Sequence, residues 1–314
     1  MNKNAVKLSP AFKDYLWGGT KLKEKYNKHS DLVKVAESWE LSTHKDGPST
    51  VADGEFAGMT FNEYIEKNKG CIGSNAEKFE YFPILIKFID AHDNLSVQVH
   101  PDDEYALKTE GEYGKTEMWY VLEADEGASL YYGVTKKISR EEFRSRIENN
   151  TLLEVLNKVP VKKGDVFFIK SGTIHAIGKG IVICEIQQNS NTTYRVYDYD
   201  RRDKNGNPRE LHIEKAIAVS SLEPSQRSET SVSGNDCVLS QCKYFTVRRL
   251  NPSSGMEIDI TNKCFHSLIV TDGSGALELN GIATKLNKGD SVFIPAQNGK
   301  YKLSGECDVI LSYV

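Results

Sequence analysis

A chain of 314 residues with 40 Lys and Arg against 44 Asp and Glu, 39% hydrophobic and 10% aromatic, has enough length for two packed domains, and its balance excludes a disordered polymer or a basic nucleic-acid or membrane-surface binder. No window reaches the eighteen uninterrupted apolar residues of a spanning helix, and the N-terminal MNKNAVKLSPAFKDYLWGG has lysines with no apolar stretch behind them, so a soluble, cytoplasmic protein is expected. The cysteines Cys71, Cys184, Cys237, Cys242, Cys264 and Cys307 stand singly, without the paired spacing of a zinc ribbon, and read as reduced, mostly buried thiols.

The first strong local signal is Thr60 with Glu63, a capping box ahead of Phe61, Tyr64 and Ile65, with Gly70 as a stop. Short alternating or β-branched runs follow: SVQVH at 96–100 and EMWYVLE at 117–123. Two further boxes, Ser139 with Glu142 and Thr151 with Glu154, predict a small helical hairpin over about 139–158. Strands resume with DVFFIK at 165–170, GIVICEIQQ at 180–188, TTYRVYDYD at 192–200, SLIVT at 267–271 and VILSYV at 309–314. Many short strands with few helices predict a mainly β protein. The Ser- and Glu-rich stretch 220–236 suits a boundary, giving a first domain over 1–235 and a smaller second over 236–314.

An internal repeat supports that division. Lys163-Gly164-Asp165 before Phe168-Ile169 recurs 125 positions later as Lys288-Gly289-Asp290 before Phe293-Ile294, and VLEADEGASLYYG at 121–133 matches IVTDGSGALELNG at 269–281. The second spacing is 148, so the first copy holds 23 extra residues where the helical insertion falls. A strand, a glycine-bounded turn, then a K-G-D turn into an apolar strand reads as a cupin-type jelly roll; two such β-barrels are expected.

The repeat also acts as a control, since a polar group found in one copy only is not demanded by the fold. His175 maps to Lys300, and Glu117 to Phe265. Gln98 and His100, two apart in a strand, share a face. If that face is the interior, Gln98, His100, Glu117 and His175 converge on one divalent ion, a donor set that suits zinc with an open position and also iron, manganese or nickel. Gln98 enters as the weakest donor or as a hydrogen-bonding neighbour of the other three. A single strand histidine is most often ordinary, and His29, His44, His92, His212 and His266 are read that way. Lys115, two before Glu117, and Arg195, alternating with Tyr197 and Tyr199, are each ordinary surface cations if taken singly. Beside a metal they point to an anionic substrate.

Taken together, PAFKDYLWGG, AESWELS at 36–42, LSVQVHPDDEYA at 95–106, GKTEMWYVL at 114–122, SGTIHAIG at 171–178, EIQQNSNTTYRVYDYDR at 185–201 and RELHIEKA at 209–216 resemble type I mannose-6-phosphate isomerases of the short bacterial form. The likeness is close over the first two thirds and looser beyond. Thr116 stands where longer members carry a proline, and no segment is long enough for their helical domain, as in the short subgroup. The resemblance implies one zinc held by Gln98, His100, Glu117 and His175. It implies a substrate pocket containing Arg195, Lys115, Glu185 and Asn191, a sugar phosphate as substrate, and interconversion of mannose and fructose 6-phosphates through a cis-enediol. Glu185 or a water at the metal is the expected base, because an imidazole engaged by a metal is a poor one. Two other readings fit part of the pattern: a non-haem iron dioxygenase of the same barrel type, and a non-enzymatic sugar-binding cupin.

Overall fold

The computed structural model describes residues 3–202, 206–225 and 232–314. The chain is mainly β and divides into two compact units, residues 16–19 with 90–229, and residues 1–15 and 20–89 with 230–314. Residues 20–89 thus group with the C-terminal strands, whereas the split expected at residue 235 assigns them to the first domain. Part of the expected boundary stretch, 226–231, lies outside the described residues.

In the unit built on residues 90–229, one antiparallel sheet has the strand order Tyr194–Tyr197, Val97–Val99, His175–Ala176, Ser129–Val134, Leu156–Pro160. A second layer sets Val166–Ile169, Glu117–Ala124 and Ile181–Gln188 side by side. Strand alternation decides which face is dry. Val97 and Val99 are fully buried with Phe143, Ile147, Leu152 and Ile217, in a cluster to which the helices Arg140–Glu148 and Ile213–Val219 contribute. Gln98 between them faces the other way. A one-residue slip would drive that amide into the apolar cluster, so the register is strongly specified.

Two local expectations are corrected. Ser139 caps its helix, its Oγ accepting from Glu142 N–H at 3.0 Å, but Thr151 caps nothing. Residues Leu152–Val155 form one 3-10 turn that buries Leu152 and Val155 and runs straight into the strand Leu156–Pro160, so the predicted hairpin is one helix and a turn. Pairing with Ser129–Val134 outweighs a four-residue helical preference. The strand predicted over 192–200 stops at Tyr197. Its register shifts between Arg195 and Tyr197, and Tyr199 and Asp200 take left-handed backbone with φ of 56° and 51°, so Tyr199 does not continue Arg195's face.

The other unit carries a ten-stranded sheet, ordered Asp236–Gln241, Thr246–Leu250, Cys307–Tyr313, His266–Leu279, Ser291–Ile294, Val6–Ser9, Thr50–Val51, with Met256–Ile260, Ile282–Asn287 and Gly299–Ser304 attached off that path. Its core packs Ile258, Ile260, Leu268, Leu277, Leu303 and Tyr301. The capping box at Thr60 forms in both directions before the helix Phe61–Lys67.

The repeated K-G-D turn is the same structure twice. Lys162 N–H donates to Asp165 Oδ2 at 2.9 Å, and Asn287 N–H to Asp290 Oδ2 at 2.8 Å. Gly164 and Gly289 both donate to a strand carbonyl, Val121 O and Val270 O, at 2.8 Å. Both have φ near +90°, 89° and 91°, a conformation that needs glycine. The register beyond the turn corrects the sequence alignment. Ile169 stands opposite Glu117 and Ile294 opposite His266, so His266, not Phe265, is the counterpart of Glu117. Lys300 is an exposed side chain paired with Glu257, and the buried inward position belongs to Tyr301.

Candidate metal centre

Strand register delivers the polar side chains to one place. Gln98 stands directly opposite His175 on one neighbouring strand and Arg195 on the other, so the three share a face. His100 lies two residues further along that face, and its carbonyl accepts Gly172 N–H at 2.8 Å, tying the SGTIH segment to it. From the facing layer, Glu117 opens its strand and Glu185 stands opposite Trp119.

Glu117 Oε1 is 3.3 Å from His175 Nε2, and Oε2 is 3.6 Å from His100 Nε2. Among the described residues, His100, Glu117 and His175 are the only group of three such side chains close enough to share an ion, their donor atoms lying within 4.8 Å of one another, and all are buried. Each imidazole is oriented from behind. His100 Nδ1 is 2.9 Å from Thr192 O and His175 Nδ1 is 2.8 Å from Thr173 O. A carbonyl can only accept, so both Nδ1 atoms carry the hydrogen and both Nε2 lone pairs point into the cluster.

The chain's own donors show what those lone pairs require. Lys115 Nζ is 3.1 Å from His100 Nε2, and the Gln98 amide nitrogen is 3.4 Å from His175 Nε2. Lys115 also lies 2.7 Å from Glu117 Oε2, an ion pair off the direction of a hydrogen bond, and neither buried oxygen of Glu117 accepts one. Burial pushes the Glu117 carboxyl up to about 8, opposed by Lys115 and reinforced by Glu185. Burial also holds the His175 imidazole down at about 4, neutral and able to donate its lone pair. Two inward lone pairs and a carboxylate without hydrogen bonds fit a divalent cation. A half-turn of the Gln98 amide exchanges its nitrogen for a fourth donor oxygen.

Lys115 reaches the cluster from outside the strand because its backbone is held on both sides. Gly114 N–H donates to Asp103 Oδ1 at 3.0 Å, Lys115 N–H to Pro101 O at 3.0 Å, and Thr116 N–H to Gln188 Oε1 at 2.9 Å. Gln188 Nε2 closes the loop on Asp103 Oδ1 at 2.7 Å. A Cβ on residue 114 would sit 2.4 Å from the backbone of Asp102, so only glycine allows this approach.

Glu185 is buried, with Oε1 accepting from Trp119 Nε1 at 2.9 Å and lying 3.9 Å from Lys115 Nζ. Arg195 donates from Nη1 to Glu210 O at 2.9 Å. Burial, then the nearby Arg209, lowers its pKa, and Asp198 pairs with Arg201 and Arg209 beside it. Asn191 precedes Thr192 in the loop after the strand Ile181–Gln188, with its backbone N–H 3.4 Å from Glu112 Oε2. Sequence reasoning missed Trp119, the Asp103–Gln188 brace, and His212, whose Nδ1 accepts Arg195 N–H at 3.1 Å. Trp119 carries a legible signal, an aromatic two residues from Glu117 on the same strand face, but strands commonly hold such residues in their core.

Residues 5–135 match the family model for the phosphomannose isomerase type I catalytic domain, and residues 235–314 that for the mannose-6-phosphate isomerase cupin domain. A mannose-6-phosphate isomerase of Streptococcus mutans is 39% identical over 302 residues, 95% of this chain and 94% of its own. The probable mannose-6-phosphate isomerase GmuF of Bacillus subtilis is 39% identical over 312 residues, 98% of each chain. A crystal structure of the mannose 6-phosphate isomerase from Bacillus subtilis matches with a TM-score of 0.89 at 35% identity, over 99% of each chain. A zinc-bound mannose 6-phosphate isomerase shares the fold, with a TM-score of 0.81 at 18% identity over 98% of this chain and 99% of its own. Similar along its whole length to isomerases of one kind and matched by both of their domain models, the chain belongs to the type I phosphomannose isomerase family.

Proposed function

We propose that the chain interconverts mannose 6-phosphate and fructose 6-phosphate through a cis-enediol, with one zinc ion per chain held by Gln98, His100, Glu117 and His175, inside the first of two cupin-type barrels. The observation that carries this reading is the pair of backbone-locked imidazoles aimed, with Glu117, at one point beside Glu185 and Lys115. When bound, such an ion supplies a Lewis acid that polarises a carbonyl and stabilises charge on the oxygens of an enediolate, worth several kcal/mol.

The chain's own groups do the rest. Aldose and ketose differ by one hydrogen moved from C2 to C1 and one moved from O2 to O1. Glu185 takes the proton from C2 and returns it to C1. Lys115 gives a proton to O1 and recovers one from O2, a role its burial beside two carboxylates suits better than binding a phosphate dianion. Arg195 stabilises negative charge and, with Asn191, belongs to the sugar-phosphate pocket; Arg195, Arg201 and Arg209 outnumber Asp198 and Glu210 there and keep it cationic. The relatives, named as isomerases, do not favour the dioxygenase or the non-enzymatic sugar-binding reading.

A coupled assay from mannose 6-phosphate, run before and after stripping with a chelator, tests the activity. Turnover restored by zinc supports it. For the roles, Arg195→Ala and Glu185→Gln should each depress turnover with zinc content unchanged. Near-normal turnover in both would remove the assignment.

A further inference from the structure

We infer that Trp119 is a positioning residue that sets the orientation of Glu185 and the tilt of His175. The inference rests on the reading of Glu185 as the group that moves the carbon-bound proton. Trp119 is 1% exposed in the middle of the strand Glu117–Ala124, directly opposite Glu185 on one neighbour and Phe167 on the other. Its indole N–H donates to Glu185 Oε1 at 2.9 Å, and its ring meets the His175 ring edge to face, with centroids 5.3 Å apart and planes at 76°.

A buried indole N–H without an acceptor is costly, so this bond fixes both partners. Glu185 has two rotatable bonds beyond Cβ, the second a broad terminal torsion. The donor at Oε1 selects one setting of that carboxylate, and the ring set edge to face against His175 limits how that imidazole can tilt. The one hydrogen-bonding group of Trp119 is spent on Glu185, so its effect on proton transfer runs through that carboxylate. Proton transfer demands reach within hydrogen-bond distance, and loss of such an orienting contact typically costs about 10- to 100-fold.

The test is a double-mutant cycle of Trp119→Phe and Glu185→Gln in zinc-loaded enzyme, with metal analysis and a nitrogen–proton spectrum of the three indole groups. Trp119→Phe should lower kcat by about 10- to 100-fold, leave KM within about twofold and zinc content intact, and have little further effect in the Glu185→Gln background. One indole resonance should vanish in Trp119→Phe, and that same resonance should move upfield in Glu185→Gln, with or without zinc, because the acceptor has lost its charge. If Trp119→Phe does not fold, Trp17→Phe and Trp39→Phe assign the resonance by elimination and the Glu185→Gln shift decides. Glu185→Gln at normal turnover would end the reading of Glu185 and this inference together. A depressed Glu185→Gln with a fully active Trp119→Phe, equal losses in both backgrounds, or an unmoved resonance would end the inference alone.

Discussion

The two copies of the repeat share a turn bond for bond and differ in what they face inward. In the first, the strand Val97–Val99 turns its valines toward the helices and Gln98 toward the cluster; in the second, the strand Met256–Ile260 turns Glu257 and Asp259 to solvent and buries Ile258 and Ile260 in the core. Inward burial makes Ile258 the counterpart of Gln98, and Ile258 stands opposite the buried Tyr301 as Gln98 stands opposite His175. The four proposed ligands Gln98, His100, Glu117 and His175 thus become Ile258, Ile260, His266 and Tyr301. One backbone plan carries a polar centre where helices supply the apolar packing outside, and an apolar centre where the outer face is wet. Where the unit's core lies decides which copy can hold an ion.

The largest effects should come from the first copy's imidazoles. His100→Ala and His175→Ala should each lose zinc by elemental analysis and reduce turnover about a thousandfold or more, the scale of several kcal/mol of charge stabilisation. Stoichiometric zinc in both variants would break the contrast between the copies at its root. The matching change in the second copy should act on stability alone. Ile260→Ala, at a fully buried position, should cost about 2–5 kcal/mol in denaturant unfolding with zinc content unchanged; a loss of zinc there would show that the second core is not independent of the first site.

Acidity sharpens the comparison next. Burial pushes the Glu117 carboxyl up to about 8 against the pull of Lys115 and so favours its protonated form toward lower pH, while a bound ion would need its carboxylate. One proton must leave on binding, so apparent zinc affinity should rise about tenfold per pH unit up to about pH 8 and then flatten, as read by competition with a chelator of known pH dependence. Affinity that is flat from pH 6 to 8 would mean that Lys115 already keeps Glu117 ionised. The second copy has no carboxyl at the equivalent position and adds nothing to this slope.

Much of this was legible in the sequence because period-two alternation and the K-G-D landmarks are local patterns. They put Gln98 and His100 on one strand face and marked Glu117 and His175 as groups that the second copy does not repeat. What escaped was set by tertiary context. The alignment ran one residue out at Phe265 because strand register is defined by pairing across Ser291–Ile294, not by spacing. Lys115 would share the face of Glu117 only if the strand began that early, yet the strand begins at Glu117 and Lys115 arrives through a loop braced by Asp103 and Gln188. The single turn at Leu152–Val155 follows from the pairing of the strand after it with Ser129–Val134, a partner that no nearby residue announces, and the left-handed backbone at Tyr199 and Asp200 has no signal in the alternation of 192–200.

The smallest expected effect tests what replaced the acid–base pair. His266 Nδ1 lies 2.9 Å from Tyr301 Oη, where the first copy sets an imidazole against Glu117. Burial holds the His266 imidazole down to about 3, with Arg248 contributing, and pushes the Tyr301 phenol up, so both are neutral at pH 7 and the phenol donates to the ring nitrogen. A neutral pair has no use for a cation, and removing its hydroxyl leaves one buried acceptor without a donor. Tyr301→Phe should therefore cost only about 1–2 kcal/mol at pH 7 in denaturant unfolding, with zinc content and turnover unchanged. The comparable truncation in the first copy, His175→Ala, should abolish metal binding. If Tyr301→Phe released zinc, the second copy would be part of the metal centre after all, and the burial of Ile258 and Ile260 would need another explanation.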